Sequence, residues 1–310
     1  MERKILAAVD GSVFSFNALR YLGQLFTDLE GIVVHLLYVV PGPPPAIGAE
    51  WVEERDRMLS LPKEVQARYR GARRFMEEAV LQLGRRGIAP GQVECRVQLT
   101  RQGVAADIVN EARRGDYDAL LLGRRGVGGL EAMISGSVSE SAVRQCYDLP
   151  LWIVDGKVNA RRFLLPVDTS FNSLKAADHL GFILQGNPYA EIVLLHLAAL
   201  MGGDTAPDWE ELRELWGEEW CEANLRGPDS VHAAPEQLLI ERGVAPERIS
   251  RGRKEGCLRP HGPILRHSVS AECGTIVLGR RSQSKKRGLF AGVSDKVLDL
   301  ANEVAVWLVG

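Results

Sequence analysis

The feature that most limits what this chain can fold into is that it repeats itself once. "KILAAVDGSVFSFNAL", beginning at Lys4, is answered by "RFLLPVDTSFNSLKAA", beginning at Arg162, which sets Asp10 opposite Asp168. In both, an apolar run ends in Val-Asp-x-Ser-x-x-Ser. Farther on, "LGRRGIAPGQV" (83–93) is answered by "IERGVAPERI" (240–249), and "DALLLGRR" (118–125) by "GTIVLGRR" (274–281). The ends match as well, "LPLWIV" (149–154) against "VAVWLV" (304–309). Four matches in one order at a nearly constant offset imply two copies of a unit of about 150 residues, an ordinary size for a domain. The expected domains are residues 1–157 and 158–310.

Within the first copy, apolar runs rich in Val, Ile and Leu predict strands at 3–9, 32–39, 93–99, 118–122 and 150–154. Stretches with helical spacing lie between them, at 15–27, 63–86, 104–114 and 136–146. Ser12 or Ser15 is placed to cap the first helix, and Gly87 to close the second. Nearly continuous apolar strands alternating with helices imply a parallel sheet covered on both faces, so the expected fold is α/β, two tandem doubly wound, mainly parallel, five-stranded units. Such sheets bind ligands outside the carboxyl ends of their strands, where the strand order reverses.

Composition narrows the partners. The 38 basic and 40 acidic residues are spread evenly over the two halves, which leaves neither a basic nucleic-acid surface nor an acidic tail. No apolar run reaches the roughly 18–20 residues of a membrane span, and the apolar stretch before Asp10 is too short for a signal peptide. The 5 cysteines, at irregular spacing, suit reduced thiols, and a cytoplasmic protein is expected.

The chemistry-bearing segment is "LLLGRRGVGGLEAMISGSVSESAV" (120–143), which packs five glycines behind the predicted fourth strand. Gly123, Gly126, Gly128 and Gly129 remove the side chains that would hold a phosphate off the backbone. Gly136, Ser137, Val138 and Ser139 then open a helix, whose unpaired N–H groups attract an anion. A flexible turn before a serine-capped helix has the same composition, and Asp10 could equally serve as a turn or helix cap.

"VDGS" after the first strand, with Gly123-x2-Gly126-x9-Gly136-Ser137 after the fourth, resembles the universal stress protein family, and specifically its nucleotide-binding members. The resemblance covers both halves. It implies a tandem protein with an adenine nucleotide alpha hydrolase-like fold, the two units packed as an internal pseudo-dimer through their last strands, "LWIV" and "VWLV", with a homodimer as a further association. It implies ATP, with Mg2+, near Asp10, backbone contacts to adenine from Val39, and phosphates held by Gly123, Arg125, Gly126, Gly136, Ser137, Val138 and Ser139. It also implies a regulatory protein partner, which the sequence does not name.

The second copy departs from this pattern. Asp168 is kept, but in "GRRSQSKKRGLFAGVSDKV" Ser282 stands where the second glycine belongs. Either Val293 follows Gly292 in place of a serine, or Ser294 aligns with Ser139 and Ala291 replaces the helix-starting glycine. A second site would use Asp168, Gly279, Arg281, Gly292 and Ser294, with fewer backbone donors than the first. A working site in the first unit and an altered one in the second are expected.

Three further features were weighed. Cys257, His261, His267 and Cys273 are potential zinc ligands, but their spacing fits no common structural site, so no metal is expected there. Trp209, Trp216 and Trp220, with Leu212 and Leu215 among glutamates, predict an amphipathic helix that packs on its own domain, serves a partner or covers the cleft. No nucleophile elbow, Walker lysine or paired His-Glu zinc signature is present. Binding rather than catalysis is therefore expected, with slow metal-dependent ATP hydrolysis, nucleotidyl transfer and a nucleotide-free scaffold as alternatives.

Overall fold

The computed structural model describes residues 2–27, 29–43, 60–124, 138–199, 209–252, 255–257, 259–280 and 292–310. The chain divides into two compact units, Met1–Asp155 and Gly156–Gly310.

The first unit contains β1 (Arg3–Ala8), α1 (Val13–Leu25), β2 (Ile32–Val40), α2 (Lys63–Gly84), β3 (Val93–Leu99), α3 (Val104–Arg114), β4 (Ala119–Gly123), α4 (Val138–Gln145) and β5 (Leu151–Val154). Its strands pair in the order β3-β2-β1-β4-β5, all parallel. The order reverses between β1 and β4, which places the ligand-binding end of the sheet at Asp10 and Gly123. β4 and β5 are buried almost throughout because helices cover both faces. At the edge, β3 exposes Glu94, Cys95 and Arg96, charges that discourage pairing with another strand.

Local chemistry sets the element ends. Ser12 is the N-cap of α1, its hydroxyl accepting from the Ser15 amide. Past the end of α2, the amide of Ile88 donates to the carbonyl of Leu83 while Gly87 takes a φ of 93°, a left-handed turn that suits glycine. After β3, Asp107 of α3 reaches back to bind the turn: its carboxylate accepts from the amides of Arg101 (2.6 Å) and Gln102 (3.1 Å) and from the Thr100 hydroxyl (2.9 Å).

The second unit repeats this plan with β6 (Arg162–Val167), α5 (Phe171–Leu184), β7 (Glu191–Ala199), α6 (Trp209–Trp216), α7 (Glu218–Leu225), α8 (Ser230–Glu241), β8 (Ile249–Arg251), β9 (Glu255–Cys257), α9 (His261–Ser270), β10 (Thr275–Gly279), α10 (Val293–Leu300) and β11 (Ala305–Val309). The order is β8-β7-β6-β10-β11, again parallel, and β9 pairs separately with β7. What is one strand in the first unit, β3, is thus two short pieces here. Gly252 lies at the break, and the residue matching Asp107 is Pro263, which has no carboxylate to bind the turn.

The predicted tryptophan helix is corrected to two helices, α6 and α7, separated by Gly217 at φ 82° and ψ 160°, a conformation that L side chains avoid. The pair packs on its own unit. Leu212 and Cys221 are fully buried, Trp216 meets Phe171 of α5 edge-on at 5.8 Å, and the Trp220 indole donates to Glu241 of α8. The core of each unit centres on one fully buried tryptophan, Trp152 against Phe26 and Trp307 against Phe163. Among the described residues, no helix is long and apolar enough to cross a membrane.

Candidate functional site

At the carboxyl end of β1 the chain turns sharply through Asp10, Gly11 and Ser12. The Asp10 carboxylate is on the surface, and its Oδ1 accepts from the Ser12 amide at 3.0 Å and the Ser15 hydroxyl at 2.7 Å. Ser15 Oγ in turn accepts from the Asp10 amide at 2.9 Å. A serine buried in the first turn of α1 thereby holds both ends of the aspartate. Gly11 sits at φ 77°, and the Tyr38 hydroxyl of β2 donates to the Asp10 carbonyl at 2.9 Å.

Val39, next along β2, is buried. Gly123 ends β4 directly behind the start of α1: a Cβ there would lie 2.6 Å from the Phe14 carbonyl oxygen and 2.7 Å from its carbonyl carbon. The first glycine of the loop is thus required by backbone packing, whatever the loop then binds. Val138 and Ser139 lie in α4, both half-buried. Arg125, Gly126, Gly128, Gly129, Gly136 and Ser137 lie outside the described residues.

Aromatic side chains around Asp10 were not singled out from the sequence. Phe75 of α2 and Tyr38 flank Gly11, whose added Cβ would be 3.7 Å and 3.8 Å from their rings, and Phe16 meets Phe75 edge-on at 5.0 Å. Tyr38 directly precedes Val39 in the sequence, but nothing there ties Phe75 to Asp10, 65 positions away; the long α2 brings it there. Burial pushes the Tyr38 phenol up, the Asp10 carboxylate adds to this, and Arg68 of α2 opposes it.

The second unit keeps the turn but rewires it. Oδ1 of Asp168 accepts from the Ser170 amide at 2.9 Å and from the Ser170 hydroxyl, while Ser173 Oγ accepts from the Asp168 amide at 3.1 Å. Thr169 stands in place of Gly11. Gly279 repeats the packing of Gly123, since its Cβ would lie 2.3 Å from the Asn172 carbonyl oxygen.

Helices α4 and α10 end alike, the Cys146 amide donating to the Ala142 carbonyl and the Ala301 amide to the Val297 carbonyl, which aligns Ser294 with Ser139 and sets Ala291 where the first unit has Gly136. Asp295 closes the start of α10, its carboxylate accepting from the Gly292 amide at 3.3 Å. An acidic residue, Glu140, holds the matching position in α4, so a carboxylate there is common to both units. Arg281 lies outside the described residues.

Cys146, Cys221 and Cys273 are buried in packing positions. Cys273 is buried, with its thiol pushed up to about 11 by burial. The Cys257 side chain lies outside the described set, and among the described residues no three His, Cys, Asp or Glu side chains gather as a metal would need. His35 lies between Glu94 (3.3 Å) and the Tyr117 hydroxyl (3.1 Å) within the sheet of the first unit.

Residues 1–154 match the model of the universal stress protein family. No curated protein matches the chain. Among solved structures, a universal stress protein from Archaeoglobus fulgidus DSM 4304 is 19% identical over 99% of this chain and 95% of its own, with a TM-score of 0.63. A putative universal stress protein from Pseudomonas aeruginosa UCBPP-PA14 is 15% identical over 99% of this chain and 93% of its own, with a TM-score of 0.54. At these identities the likeness is one of fold.

Proposed function

Since this chain belongs to the universal stress protein family, we propose that its first unit binds an adenine nucleotide, ATP with Mg2+, and that the protein works as a regulatory binding protein whose second unit holds no nucleotide in the same way. The observation that carries this reading is the meeting of Asp10, Gly123 and the first turn of α1 at the reversal of strand order, within the 154 residues that match the family. A carboxylate and a glycine at that point leave room for a ligand across the strand ends.

Asp10 fits a role beside Mg2+ by its chemistry: an exposed carboxylate is a hard oxygen donor, and this ion is held by one or two carboxylates together with substrate phosphates. When bound, Mg2+ would neutralise phosphate charge. Val39 would offer its backbone to the base, Val138 and Ser139 the amides of a helix start to the phosphates, and Arg125, Gly126, Gly136 and Ser137 the loop between. In the second unit Thr169 and Ala291, where the first has Gly11 and Gly136, argue for a different use of the same scaffold.

The test is to denature freshly purified protein gently and search the supernatant for adenine nucleotide by mass spectrometry, then to titrate the emptied protein with ATP and Mg2+ by calorimetry. Released or titrated nucleotide is expected; neither would defeat the proposal. ADP or AMP formation well above that of an Asp10→Ala control would replace the binding reading with an enzymatic one.

A further inference from the structure

We propose that Tyr38 and Phe75 form a latch that positions Asp10 for its ligand in the first unit, an inference that rests on the nucleotide reading for the identity of that ligand. The Ser12 and Ser15 bonds to Asp10 are local, made within one turn of chain. The Tyr38 bond differs because it comes from another strand, 28 residues away, and it fixes the main chain at the carbonyl of Asp10. Gly11 follows at φ 77°, with the Tyr38 and Phe75 rings against it and their centroids 6.1 Å apart. Phe16 packs edge-on against Phe75. The turn that carries the carboxylate is thus gripped by a hydrogen bond at one residue and by two rings at the next.

The second unit is an internal control for this latch. The strand registers, Ala8 beside Leu37 and Pro166 beside Leu195, set His196 in the place of Tyr38. Counting from Gly87 and Gly243 sets Val231 in the place of Phe75, and Leu174 and Thr169 replace Phe16 and Gly11. The His196 ring packs against His232 instead, at 5.7 Å. All four latch residues are therefore changed, and in this unit the carboxylate takes its hydroxyl bond from Ser170 of the cap rather than from the serine within the helix. One motif holds its aspartate in two ways, and the difference coincides with the latch. A pre-positioned carboxylate suits a ligand that offers hydroxyl donors or a phosphate-bound cation, because the cost of ordering is met before binding.

The test uses the full chain. Tyr38→Phe keeps the ring and removes the donor; in ligand-free protein, the carboxyl-carbon NMR signal of Asp10 is expected to shift in this variant and in Phe75→Leu. ATP affinity is expected to fall about 5–10-fold in Tyr38→Phe, the size of one hydrogen bond. In a double-mutant cycle, Tyr38→Phe combined with Asp10→Asn is expected to bind no more weakly than Asp10→Asn alone, because the tyrosine acts through the aspartate. Additive losses, or an unmoved carboxyl signal, would overturn the latch. Wild-type protein that binds no ATP would overturn the nucleotide reading, and the carboxyl signal would still decide for or against the latch.

Discussion

At the scale of single residues, Gly123 and Gly279 show why a motif glycine needs a packing argument before a functional one. Each ends the strand that follows the reversal of strand order, and each has the backbone of the first helix of its unit where a side chain would go, Phe14 in one and Asn172 in the other. A backbone carbonyl cannot swing aside as the tip of a flexible side chain can, so the strand or the helix must shift. Gly123→Ala and Gly279→Ala are each expected to destabilise their unit by about 1–3 kcal/mol, the range for overpacking, measured as a lower urea midpoint at unchanged slope. Equal costs at both sites would show that these glycines serve the fold. Glycines that differ between the two copies, Gly126 and Gly136 of the first among them, are then the ones to examine for binding.

At the scale of elements, backbone conformation decides where helices stop. Gly217 joins α6 to α7 in a region of φ and ψ that is open essentially to glycine alone, so Gly217→Ala is expected to cost about 1–3 kcal/mol. Loss of the Trp216 environment in the fluorescence spectrum would report the accompanying disturbance of the contact with Phe171. The apolar spacing of Trp209, Trp216 and Trp220 was legible, but a lone glycine does not declare its φ in a sequence. The strands of the first unit were legible because central parallel strands are apolar on both faces. The break between β8 and β9 could be suspected from the polar "ISRGRKEGC", although the placement of β9 on β7 depends on pairing. Asp10 and Asp168 were legible through the repeat, whereas Phe75 was not, because α2 brings it to Gly11 from outside the motif.

Helix α5 also carries a titration effect. Its His179, edge-on to Trp307 at 5.9 Å, is pushed down to about 3 by burial, and Lys175 adds to this. The matching residue in α1 is Tyr21, which is fully buried and apolar over most of its surface. In the unfolded chain the imidazole takes a proton near its ordinary value of about 6.5, while the folded protein refuses it. This contribution to stability is complete above about pH 6.5 and is lost as the pH falls toward 3, by up to about 1.4 kcal/mol per pH unit. His179→Phe keeps an aromatic edge against Trp307 and removes the charge. Denaturant titrations at pH 7, 6 and 5 are expected to show the variant gaining on wild type as the pH drops; parallel stabilities would mean that the imidazole reaches water.

At the scale of the whole molecule, duplication has left two copies of one scaffold whose differences are concentrated at the same end of each sheet. Strand order and the packing glycine are common to both, and so is the aspartate after the first strand. The turn glycine, the aromatic latch, the third strand and the start of the last helix are not. Changes at the ligand end, with the strand order kept, are what selection for binding in one copy and release from it in the other would leave. Under the proposed reading the chain takes one nucleotide, and its two aspartates are unequal. Calorimetric titration with ATP and Mg2+ is expected to give one site per chain. Asp168→Asn is expected to leave that affinity within about twofold of wild type, and Asp10→Asn to weaken it by about 10-fold or more, as when a charged hydrogen-bonding partner is removed. Two sites per chain, or equal losses from the two substitutions, would mean that the second unit retains the nucleotide binding proposed for the first.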